Sequence, residues 1–164
     1  MASASETIKL PRYDYGSKER AKEYVANLQR EMKELKAQGS VEGMIGWARI
    51  RLKRATKALE SWNSGKPLPK VKAEIQAWRI GDSAIVFVPG EVFNEIGTHV
   101  KQHSPILSTF FVGYANGNVG YIPTREDYAE GGYEVDDACQ VGPEAASLVT
   151  EKCLELLELL YEKT

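Results

Sequence analysis

Glu91 follows an apolar run at residues 84–88 and a Pro89-Gly90 break. The run reads as a buried strand, and the spacing after it predicts a helix from Glu91 to about Gln102. A carboxylate at a helix N-terminus is favoured in its ionised form. Crevices for ligands open at the strand ends of α/β sheets. Such a group serves as a metal ligand or base, or is an ordinary helix-start glutamate. A second concentration of chemistry lies at residues 113–128, where Gly and Pro punctuate a run carrying Tyr114, Asn116, Tyr121, Arg125 and Tyr128. Phenols and a guanidinium converging on a rigid turn suit a binding cleft, and Asn116, Tyr121 and Arg125 are its candidate lining. Tyrosines packed on a core would read the same way. His99 and His103 are spaced to share one helix face, but no glutamate follows His99 as in the metalloprotease motif. Ser104-Pro105 should fray the helix at His103, which favours a surface role for both.

Other chemistries find no support. There is no Gly-x-Ser-x-Gly elbow, no phosphate-binding Walker loop and no motif linking Cys139 or Cys153 to a histidine. The two cysteines are expected as buried free thiols. A formal charge of −2 over 164 residues argues against nucleic acid as a partner. No apolar run reaches the length of a transmembrane span. The N-terminus lacks the features of a signal peptide, so a cytoplasmic location is the default expectation.

The elements that must position these groups follow from periodicity. Residues 1–16 read as an irregular leader punctuated by Pro11 and Gly16. From a Ser17 cap, apolar residues at helical spacing predict a helix ended by Gly39, and a second helix runs from Val41 to Trp62. The second carries Arg49, Arg51, Lys53, Arg54 and Lys57, read as its wet face. After the linker at 63–69 the period becomes two. Residues 71–77 predict a strand, Gly81-Asp82 a hairpin turn, and 84–88 its partner. Residues 106–114 predict a third strand, continued by 119–122 beyond the Asn116-Gly117 turn. Thr124 and Asp127 predict a short capped helix over 125–130. Pro143 opens a closing helix to about Tyr161. The expected architecture is an α/β or α+β layered fold. It has an N-terminal helical hairpin, a small sheet with interleaved helices and a closing C-terminal helix. It is read as one domain, 1–164, with its helical part at 17–63 and its α/β part at 71–164.

Several ordered blocks together carry a resemblance. They are Pro89-Gly90-Glu91, Ser104-Pro105, the Gly-Tyr-Ala-Asn run at 113–116, the Gly-Tyr-Ile-Pro-Thr-Arg-Glu-Asp-Tyr run at 120–128, and Gly132-Tyr133-Glu134. The stretch from Ile75 to Glu134 resembles the neutral/alkaline ceramidase family, nearest to its bacterial members. The resemblance implies a C-terminal portion of a zinc-dependent amidohydrolase domain acting on the N-acyl bond of an amide lipid. It implies metal ligands at Glu91 and Tyr128, with Tyr121 and Tyr133 as alternatives for the tyrosine. The family's two metal-binding histidines have no counterpart at matching positions here.

The expected function is therefore a partial ceramidase-like module carrying half of a zinc site and not catalytic alone. The zinc is expected only if the site is completed. A binding or assembly module, with a homo-oligomer, and a hydrolase completed by a partner chain's histidines are the alternatives.

Overall fold

Strand β2 (Val71–Ile80) and strand β3 (Ser83–Phe87) form the hairpin that Gly81-Asp82 announces, with Gly81 at φ 60°. The structure, a computed structural model describing residues 1–162, extends this hairpin in both directions. Strand β1 (Ala2–Leu10) pairs antiparallel with β2 along its whole length, and β5 (Ser108–Val112) pairs parallel with β3, giving the order β1-β2-β3-β5. The fold is mixed α/β. The chain gathers into two compact units, residues 1–12 with 70 onward, and residues 13–69.

In the first unit, alternate residues of the sheet (Ala73, Ile75, Ala77, Ala84 and Val86) are buried. Helix α5 (Ala145–Glu162) packs on β1, β2 and β3 with Val149, Cys153, Leu156, Leu157 and Leu160 buried at helical spacing. Helix α3 (Asn94–His103) packs beside α5 and β5. The Arg79 guanidinium donates to the Leu160 carbonyl at the C-terminal end of α5 (3.1 Å), where a cation is favoured. Both cysteines are free and buried; burial pushes the Cys153 thiol up to about 12. In the second unit, α1 (Lys18–Ala37) and α2 (Glu42–Ser64) pack as the expected hairpin. Ser17 caps α1 by accepting from the Arg20 amide. The basic cluster is partly internal to α2's packing, for Arg51 pairs with Glu31 and lies over the Trp47 ring. Among the described residues no helix is long and apolar enough to cross a membrane.

Four expectations are corrected. Residues 1–16 are not an irregular leader, since 2–10 form an edge strand. Its inward residues begin as small alanines, too weak a local signal, and its pairing partners lie some sixty to eighty residues away. Glu91 does not open a helix. It begins the two-residue strand β4 (Glu91–Val92), and the helix starts at Asn94, because the Glu91 and Phe93 amides donate to Gly120 and Ile122 carbonyls. Residues 121–122 form β6 (Tyr121–Ile122), which pairs parallel with β4 and does not continue β5. The histidine end of α3 does not fray. His103 is helical, its ring stacked on His99 at 3.9 Å. The short capped helix is α4 (Asp127–Glu130), with Thr124 donating to Asp127, and a π-helical turn, Tyr133–Asp137, follows it. The final two residues of the expected 71–164 part lie outside the described residues.

Candidate functional site

Beyond β3 the chain turns back on itself so tightly that side chains have no room. A Cβ on Gly90 would lie 2.8 Å from the Gly120 carbonyl, and one on Gly113 2.9 Å from the Gly90 carbonyl. These glycines let three segments share backbone bonds: Val119 to Pro89 (2.7 Å), Tyr114 to Gly90 (3.0 Å) and Glu91 to Gly120 (3.0 Å). Three polar side chains fan out from this knot. Glu91 and Tyr121 face each other across the parallel β4–β6 ladder, and Tyr114 approaches from the end of β5.

The Tyr114 and Tyr121 hydroxyls both stand toward the half-buried Glu91 carboxylate, close enough for it to raise both phenols. Tyr133 and Phe93 stand edge-on to the Tyr121 ring at 6.2 and 6.3 Å. Tyr114 holds φ 56° while remaining 64% exposed. A bulky residue in the left-handed region costs roughly 1–3 kcal/mol and is characteristic of functional sites. A cavity of about 250 Å³ opens beside this cluster, with Phe93, Lys101 and Phe111 among its walls.

The hydrogen bond to Glu91, chiefly, pushes the Tyr121 phenol up to about 12 from its ordinary 10.0. Tyr114 is raised for the same reason. The folded state thus favours the neutral phenol. Its stabilising contribution is complete below the unfolded value near 10 and is lost as pH rises through about 12. Alkaline titration of phenolate absorbance should show a late-ionising tyrosine that Tyr121→Phe removes. An unchanged late component in that variant would count against the Tyr121–Glu91 bond.

The other expected residues lie elsewhere. Tyr128 is buried with its hydroxyl donating to the Val141 carbonyl at 2.7 Å and 3.3 Å from the Cys139 sulfur. Cys139 in turn donates to the Tyr121 carbonyl, so Tyr128 backs the site from behind. Tyr128→Phe should cost about 1–2 kcal/mol in urea unfolding and leave the late phenol titration intact. Arg125 is exposed, pairs with Glu144 at 3.5 Å and lines a different cavity of about 480 Å³ with His99 and Glu95. Asn116, at φ 64°, is an exposed turn residue. The structure therefore brings Glu91 and Tyr121 together and adds Tyr114. Tyr114 belonged to the polar-aromatic run, but only the unforeseen β4–β6 ladder shows its place.

No protein-family model matches the chain, and no curated protein matches it. Among solved structures it is similar to a ceramidase complexed with C2, at 27% identity with a TM-score of 0.53. It is also similar to neutral ceramidase from Pseudomonas aeruginosa, at 26% identity with a TM-score of 0.50. The chain resembles neutral ceramidase in fold. Each likeness covers 60% of this chain, which spans only 16% and 17% of those two proteins. A ceramidase-like fold does not by itself bring a metal site. Among the described residues no three of His, Cys, Asp and Glu gather as ligands. His99 and His103 are occupied with each other on α3, the His103 ring nitrogen 2.9 Å from the His99 carbonyl. Glu91 and its phenols offer oxygen donors only. Catalytic zinc takes three protein ligands, typically with imidazole among them, so this donor set does not fit zinc unaided.

Proposed function

We propose that this chain is a partial ceramidase-like amidohydrolase module that contributes Glu91 and a tyrosine to a zinc site completed by histidines from outside it. The observation that carries this reading is the Glu91–Tyr114–Tyr121 cluster, built on a glycine knot within a ceramidase-like fold. The engagement of the Tyr128 hydroxyl by Val141 favours Tyr121, with Tyr133 beside it, as the tyrosine. The substrate class is an N-acyl amide, and an amide lipid by likeness to the ceramidases. The chain alone is not catalytic, because oxygen donors without imidazole hold zinc poorly.

Elemental analysis of untagged protein, purified with zinc supplied, tests this. Far less than one zinc per chain is expected, together with no turnover of an N-acyl amide probe above background. Stoichiometric zinc that disappears in Glu91→Gln would sink the half-site reading, since the metal site would then be complete without outside histidines.

A further inference from the structure

One face of α3 walls the cavity beside Glu91. Asn94, Gly97 and Lys101 all line it, at the spacing that sets helical residues above one another. Gly97 leaves a gap in that stripe and the Phe111 ring fills it, for a Cβ there would lie 3.3 Å from the ring. Glycine weakens a helix interior, so its use here exchanges helix strength for a flat apolar wall. Phe93 adds further apolar surface. Lys101 stands two turns beyond Asn94, about 10 Å along the axis at the usual helical rise. Glu91 lies at the Asn94 end. The cavity therefore runs from a carboxylate, past two aromatic rings, to an ammonium.

The cation at the far end is uncompensated. Lys152 pairs with Glu6 and Glu155, and Arg125 pairs with Glu144. Lys101 is exposed, and no acid pairs with it among the described residues. Its charge sits on a flexible four-carbon stem, long enough to lean over a bound molecule.

Opposed charges at the two ends call for a ligand of matching polarity. Glu91 accepts, and its two oxygens leave room for a donor besides the neighbouring phenols. An N–H group suits that end, and a single negative charge suits Lys101. In an amide the N–H belongs to the amine half, so the amine half is the part that enters. The volume of about 250 Å³ agrees, being small for a long acyl chain, which stays outside.

We propose that this cavity takes the amine half of an N-acyl amino acid, with its N–H toward Glu91, its side chain against Phe93 and Phe111, and its carboxylate on Lys101. Lys101 is then the residue that selects carboxylate-bearing amides over neutral ones. A phosphate in the same place would bring a second negative charge that one lysine leaves unmatched. That such an amide is a substrate rests on the amidohydrolase reading, whereas the preference for the carboxylate needs no metal.

Titration of the metal-free protein in EDTA with N-acetyl-L-phenylalanine, followed by NMR shifts of the Gly97 and Lys101 amides, tests it. N-acetyl-L-phenylalaninamide is the comparison, with the same body and no charge. The acid should bind about threefold to tenfold more tightly than the amide. That preference should shrink in high salt, vanish in Lys101→Met and persist in Lys101→Arg. Absence of saturable binding, equal binding of acid and amide, or a preference that survives Lys101→Met would each overturn the proposal. Should Lys101→Met lose its fold, equal binding of the two probes to the wild type would overturn it equally. Zinc takes no part in this titration, so its failure is distinct from a failure of the half-site reading, which zinc content decides.

Discussion

Gly120→Ala is expected to lower stability by about 3 kcal/mol and to dismantle the Glu91 cluster. Gly120 holds φ 78°, where a Cβ is strained, and that Cβ would collide with the Ala138 carbonyl. The obstacle is backbone, which cannot swing aside as a long side chain can. Relief requires moving residues 138–139 or 119–121. The first shift disturbs Cys139, which bridges to Gly120 and Tyr121. The second withdraws the carbonyl that receives the Glu91 amide. Either way Glu91 and Tyr121 leave register. Urea unfolding should report the lost stability, and hydrogen exchange should show the Glu91 amide losing protection. Gly46→Ala makes the contrast: it lies in α2 with nothing within 4 Å of an added Cβ. It should be neutral or stabilise by up to ~1 kcal/mol. Equal responses at the two positions would mean that the knot does not depend on Gly120.

Much of the scaffold was legible because its signals are local. The Gly81-Asp82 turn joins residues that are neighbours in sequence. The Ser17 cap and the buried stripe of α5 repeat within a few turns. The site was legible only in part. Pro89-Gly90-Glu91 and the 113–128 run mark the right segments, but their pairing depends on backbone bonds between residues some thirty positions apart. No periodicity records such a ladder when each strand is two residues long. Of the aromatic and basic groups read as one cleft, Tyr121 faces Glu91, Tyr128 lies behind it, and Arg125 turns to Glu144. Tyr114 reaches Glu91 through a left-handed backbone that sequence alone does not announce for a tyrosine. β1 was hidden for a related reason. Its alternation is carried by Ala2 and Ala4, whose burial is worth little until β2 is beside them.

The sheet's inner face depends most on α5, and Leu157→Ala measures how much. Leu157 is fully buried in a helix that packs on β1, β2 and β3. Removing its branched end forfeits both transfer free energy and packing around the cavity left behind, together about 2–5 kcal/mol. The lower end applies if Leu156 or Leu160 can collapse inward. The upper end applies if the sheet resists, and the regular β2–β3 pairing beneath favours resistance. We expect about 3 kcal/mol by urea unfolding. Leu159, two residues on and 40% exposed, should cost under ~1 kcal/mol when cut to alanine. A Leu157 loss no larger than that of Leu159 would mean that α5 does not seal this face.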